Sequence, residues 1–124
     1  MNSWKRRWNN LKTDKILSFL GLAKKAGKVE SGSFCVEKAV KSGKSYLVLL
    51  AEDASLNTQK DIKNMCAYYK VPCMTYGNKE SLGDAIGCEN RVCIAITDEG
   101  FAKGVISKVQ KARELEKVLL NGGK

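Results

Sequence analysis

Apolar residues recur at i, i+3, i+4 and i+7 in two stretches: Ile16, Phe19, Leu20 and Ala23 in the first, and Ile62, Met65, Cys66 and Tyr69 in the second. This spacing lines side chains along one face and predicts two amphipathic helices. Thr13 suits the N-cap of the first, which ends at Gly27. Val71-Pro72 stops the second, because proline has no amide to give a helix interior. A third helix starts at Ser33, with Val36, Ala39 and Val40 on its core face and Phe34, Lys38 and Lys41 on the opposite one, and ends near Ser42-Gly43. A short helix runs from Lys79 to Ile86 and closes at Gly87. Asp98 caps a long final helix, which places Ala102, Val105, Val109 and Ala112 on one face and continues to Leu120.

Between these helices, the runs Tyr46-Leu-Val-Leu-Leu-Ala51 and Val92-Cys-Ile-Ala-Ile-Thr97 are continuously apolar. Such runs predict central strands covered on both faces. The segment from Val29 and Cys73-Met-Thr-Tyr76 read as shorter strands. Gly32 joins the first of these to the third helix, at a junction that favours a residue without a Cβ. Ser31 or Ser33 is expected to cap that helix. Helices and strands therefore alternate along the chain, which predicts a sheet between helical layers.

Length adds that the 124 residues make one domain, with 44% hydrophobic residues to build its core. Residues 1–12 read as a basic arm carrying Trp4 and Trp8, and residues 13–124 as the domain. No apolar run approaches the roughly 20 residues that span a membrane. No apolar stretch follows the basic start, so no secretory signal is read and the cytoplasm is expected.

Charge narrows the partner. The chain carries 22 basic and 13 acidic residues, a net charge of +9. On so small a domain this points to a polyanion, most simply nucleic acid. A lipid surface would need a basic amphipathic helix with a broad apolar face, and only Trp4 to Trp8 hints at one, so no membrane partner is expected.

Candidate chemistry removes most enzyme classes. There is no histidine, and the five cysteines at 35, 66, 73, 88 and 93 have no Cys-x-x-Cys spacing. No zinc site, metal or cofactor is therefore expected, and the cysteines read as free thiols serving as small core residues. A redox role for Cys35 at a helix start would need a resolving thiol that the spacing does not offer. There is no phosphate-binding glycine loop and no nucleophile elbow. Glu52-Asp53 at a strand end has no catalytic partner, and acids there are expected to cap amides of the next turn. The chain is not expected to be an enzyme. What remains is a binding surface in which the Gly32 loop, the 87–91 loop and Lys79 converge at one end of the sheet. There basic groups would hold phosphates and Phe34 would stack on a base.

Several blocks resemble the ribosomal protein L-seven-Ae superfamily: Gly32-Ser-x-x-Val-x-Lys-Ala39, Gly43-Lys-x-x-Leu-Val-x-x-Ala-Glu-Asp-Ala54, Val71-Pro72, and Lys79-Glu-Ser-Leu-Gly-x-Ala-x-Gly87. The likeness covers residues 14–109 and is greatest to small bacterial ribosome-associated members. It implies a three-layer α/β/α sandwich around a mixed four-stranded sheet. It implies binding of kink-turn RNA, a sharply bent helix–bulge–helix with sheared G·A pairs. In the family a Gly-x-Asn-Glu-x-x-Lys segment reads those pairs, and a loop after the short fourth helix covers the bulged nucleotides. Carried across, Gly32 and Lys38 match, while Phe34 stands where the family has Asn and Cys35 where it has Glu. Asn and Glu hydrogen-bond guanine edges; Phe can only stack and a neutral thiol is a poor acceptor. Without that polar readout, each good base pairing would forfeit roughly 1–3 kcal/mol by the DNA scale. Lys79 matches a phosphate-contacting lysine, and Cys88, Glu89, Asn90 and Arg91 match the covering loop by position. Lys28, Ser31 and Ser33 flank the Gly32 segment and complete the candidate surface.

The expected protein is a monomer, associated with the ribosome, that binds structured RNA: rRNA or another kink-turn-like RNA. The rival is a protein-interaction module on the same fold, with Phe34 and Cys35 marking a groove turned over to apolar contact.

Overall fold

Helices and strands alternate as the periodicity predicts in the computed structural model, which describes residues 15–120, the last six in backbone alone. The elements are α1 (Lys15–Lys25), β1 (Val29–Ser31), α2 (Ser33–Lys41), β2 (Leu47–Leu50), α3 (Leu56–Tyr69), β3 (Cys73–Thr75), α4 (Lys79–Ala85), β4 (Cys93–Ile96) and α5 (Glu99–Leu120). The Thr13 cap and the 1–12 arm lie outside the described residues.

The strands form one mixed sheet in the order β1-β4-β2-β3. β4 runs antiparallel to both β1 and β2, whereas β3 lies parallel to β2. Alternation along the strands divides the core in two. Leu47, Leu49, Ile94 and Ile96 pack with Leu17 and Leu20 of α1, Leu82 of α4 and Val105 of α5. Val48, Leu50, Cys93 and Ala95 pack on the other face with Val36 and Val40 of α2 and Ile62 and Cys66 of α3. This is the expected three-layer α/β/α sandwich. Leu20, Leu47, Leu49, Leu50, Leu82 and Ile94 are wholly buried, and each such side chain contributes about 1.5–3 kcal/mol by leaving water.

Some expectations give way to geometry. Tyr46 precedes β2 and remains 47% exposed, so the buried run is one residue shorter at that end. Ala112 is exposed rather than in the core. The 22 residues of α5 span about 33 Å, while strands of three or four residues span only about 10–13 Å, so the helix outruns the sheet after Val109. Glu52 and Asp53 do not cap the next turn. Ser55 does so, its Oγ accepting the Thr58 amide at 3.2 Å, whereas Asp53 Oδ1 accepts the Lys79 amide at 2.9 Å, 26 residues away.

All five cysteines are free thiols, and Cys66 and Cys93 serve the core as expected. A hydrogen bond with Cys73 and burial push the Cys66 thiol well above its ordinary range. The same bond, with Lys63 nearby, pulls Cys73 down against its burial. Burial raises Cys93 to about 11. Cys35 is exposed and departs from the core-thiol expectation.

Candidate functional site

The C-terminal ends of β1, β2 and β3 and the start of β4 meet at one end of the sheet. Gly32 sits there, its amide donating to the Cys93 carbonyl at 3.1 Å. Its φ of 90° and ψ of 153° turn the chain directly from β1 into α2, with Gly32 itself at the N-cap. Neither Ser31 nor Ser33 caps the helix, contrary to expectation: no side chain accepts its first amides. The reason is register. A capping oxygen must come from the N-cap residue, and that residue has no side chain. Ser31 Oγ instead accepts from Arg91 Nε at 3.2 Å, and Ser33 hydrogen-bonds the Cys93 thiol, which moderates that thiol's rise.

The first turn of α2 therefore presents Ser33, Phe34 and Cys35 to solvent, at the positive end of the helix dipole. Phe34 is 77% exposed, an expensive placement for an aromatic ring that has no binding role. Val36, Ala39 and Val40 hold the opposite face in the core. Lys38 is exposed one turn beyond Phe34, and Lys41 pairs with Glu37 at 2.6 Å.

The 88–91 segment folds back along α4. The Cys88 amide donates to the Gly83 carbonyl at 2.8 Å, and the Arg91 amide donates to the Lys79 carbonyl at 3.0 Å. Asn78 caps α4 reciprocally with Ser81, so the Lys79 backbone is fixed from both sides. Arg91 donates from Nη1 to the Asn90 carbonyl at 3.0 Å and from Nε to Ser31. Its guanidinium thus ties the covering segment to the Gly32 junction and is largely committed.

The structure brings Ser31, Gly32, Ser33, Phe34, Cys35, Lys79 and the 88–91 segment to one end, with Lys38 beside them. Lys28 lies elsewhere. Its carbonyl accepts the Thr97 amide at 2.9 Å, at the far end of β1, about 13 Å of extended backbone from Gly32. Sequence reasoning missed two residues that build this end. Asp53 anchors α4 from the turn that follows β2, and Gly83 lets the 88–89 backbone lie directly on α4. A glycine inside an apolar helical stretch was the available signal for the second.

The electrostatics also differ from the expected basic groove. A hollow of about 400 Å³ is lined by Glu80, Asp84, Cys88, Glu89, Asn90 and Arg91. Glu52 and Asp53 add carboxylates at the same end of the sheet. Lys38 lies one turn along α2 and Lys79 opens α4 on the other face of the sheet, while the carboxylates disfavour anions over the hollow.

The profile described as the Ribosomal protein L7Ae/L30e/S12e/Gadd45 family matches residues 14–106, a span that contains every residue of this site. The chain belongs to that family. Bacillus subtilis (strain 168) has a relative, RNA-binding protein YlxQ, that is 49% identical over 88 residues, covering 71% of this chain and 88% of its own. A protein of the same name from Enterococcus faecium is 36% identical over 89 residues, covering 72% and 85%. Among solved structures, a protein with unknown function from Bacillus halodurans C superposes with a TM-score of 0.76 at 38% identity, over 78% of this chain and 98% of its own. The Giardia lamblia 15.5kD RNA binding protein superposes with a TM-score of 0.65 over 81% of this chain and 86% of its own. At 23% identity that likeness establishes the shared fold alone.

Proposed function

We propose that this family member binds structured RNA of the kink-turn kind through the Gly32 end of its sheet. It acts as a cytoplasmic, ribosome-associated monomer with no catalytic role. The observation that carries this reading is the uncapped first turn of α2, with Phe34 standing in solvent beside open amides. Curated relatives at 49% and 36% identity that are named RNA-binding proteins support it.

The chemistry follows from the placement. The amides of the α2 first turn offer donors to phosphate or base oxygens. Phe34 offers a face for an unstacked base, and Lys38 and Lys79 neutralise the backbone that carries it. The carboxylates of Glu80, Asp84 and Glu89 repel phosphates from the hollow, so the RNA lies toward α2. With Phe34 and Cys35 in place of Asn and Glu, recognition leans on the shape of the bend and on stacking more than on guanine edges.

Phe34→Ala is expected to weaken RNA binding by about 5- to 150-fold, the range that losing one stacked base produces. Folding should be unaffected, because the ring is 77% exposed. Electrophoretic mobility shifts and a urea melt of the same preparation check both halves. An unchanged RNA affinity would reject Phe34 as the contact.

A further inference from the structure

The positive charge of the described chain gathers at the end of the sheet opposite Gly32. β1, β2 and β3 begin there and β4 ends there, the strand ends being stitched by Thr97 N to Lys28 O at 2.9 Å, Tyr46 N to Ile96 O at 2.8 Å and Val48 N to Pro72 O at 2.9 Å. α1, α2 and α3 also finish at this end. We propose that Lys24, Lys25, Lys28, Lys44 and Lys70, together with Tyr46, form a second RNA contact that takes a single-stranded segment.

All five lysines are exposed. Lys24, Lys25 and Lys70 sit at helix C-termini, where a cation is an ordinary partner of the dipole. Lys28 and Lys44 lie in the connections beyond the helices, and the dipole does not account for them. The neighbouring acids are engaged: Glu37 pairs with Lys41, Glu99 pairs with Lys103 at 3.5 Å, and Asp98 Oδ2 accepts the Phe101 amide at 2.9 Å. Glu30 is exposed midway along β1. Asp84 shares a hollow with Lys24 and Lys25, while Glu52, Asp53, Glu80 and Glu89 gather at the Gly32 end.

Charge complementarity therefore selects a polyanion, and the aromatic residues select which one. Tyr46 is 47% exposed, Tyr69 is 40% exposed and lies close to Lys41, and Tyr68 packs edge-on against Tyr69 at 4.9 Å. Lysines interleaved with exposed rings fit a backbone with bases free to stack. A lipid surface would require a broad apolar face, and the exposed residues here are tyrosines and lysines. An RNA reaches both ends only by bridging the sheet, so the fitting ligand is a folded element with an unpaired tail. The class of partner rests on the RNA-binding reading above; the location does not.

The test is fluorescence anisotropy of the full chain with labelled rU12 over a salt series, using two charge-matched triple variants. One is Lys28→Gln, Lys44→Gln and Lys70→Asn, where asparagine suits the left-handed backbone of residue 70. The other is Lys15→Gln, Lys60→Gln and Lys111→Gln, on exposed positions away from this end. The first triple should weaken rU12 binding at least tenfold and flatten the logarithmic salt slope by about 2, near 0.7 for each phosphate no longer neutralised. The second should change affinity less than twofold, and Tyr46→Ala should cost about fivefold or more. Equal losses in both triples would overturn the proposal, because the charge would then act diffusely. So would rU12 failing to bind while a kink-turn RNA binds, an outcome that leaves the first site standing. Binding to anionic phospholipid vesicles in place of rU12, abolished in the first triple, would assign the surface to lipid and also overturn it.

Discussion

Gly83→Ala should cost the fold about 2–3 kcal/mol, although alanine is the better helix former by up to about 1 kcal/mol. Gly83 lies within α4, where a Cβ would meet the Glu89 carbonyl oxygen, come within 2.7 Å of the Glu89 carbonyl carbon and lie 3.1 Å from the Cys88 carbonyl oxygen. These are backbone atoms and cannot rotate aside as a flexible side chain can. Either α4 moves off the sheet, opening the cavity that Leu82 now fills, or the 88–91 segment lifts. The segment is the weaker element, so it lifts and takes with it the Cys88–Gly83 and Arg91–Lys79 backbone bonds. Urea denaturation should show a lower midpoint at an unchanged slope. Hydrogen exchange should show the Arg91 amide losing protection before the amides of β4. A variant within 0.5 kcal/mol of the parent would mean that the segment does not rest on α4 as described.

Gly32→Ala should cost about 1–3 kcal/mol for a different reason, because φ near 90° with ψ near 153° is a region that essentially only glycine occupies. No heavy atom lies within 4 Å of a Cβ there, so space is not the obstacle. The strain is removed only by rotating the junction, and that moves the start of α2, the Gly32–Cys93 bond and the open amides together. Stability and RNA affinity should therefore fall in step, with the losses measured by denaturation and by mobility shift. An alanine variant of parental stability would show that the junction relaxes without penalty. Full RNA affinity in a destabilised variant would remove the α2 first turn from the interface.

Most of the architecture is legible in the sequence because it is local. The i, i+3, i+4 stripes of α1, α2 and α3 and the unbroken runs of β2 and β4 are periodicities that a helix or a buried strand imposes on nearby residues. What escapes depends on residues distant in sequence. Asp53 capping α4 joins residues 26 apart, and Arg91 reaching Ser31 joins residues 60 apart. Neither has a period to betray it. The expected caps at Ser31 and Ser33 fail because a shift of one residue moves the N-cap onto Gly32 and deprives both hydroxyls of the capping position. Lys28 groups with Gly32 by closeness in sequence, but an extended strand carries neighbours apart at about 3.3 Å per residue. The separation of charge between the two ends of the sheet is invisible for the same reason: a net charge of +9 has no direction until the strands are ordered.

The Gly32 end as an RNA-reading surface is tested most directly by binding of the full chain to a kink-turn RNA and to the same RNA with its G·A pairs replaced, at two salt concentrations. Binding of the first should exceed that of the second by about tenfold or more, a difference near 1.4 kcal/mol, and the ratio should persist at the higher salt while both affinities fall. Equal, salt-sensitive binding to the two RNAs would contradict it, leaving only general attraction to phosphate.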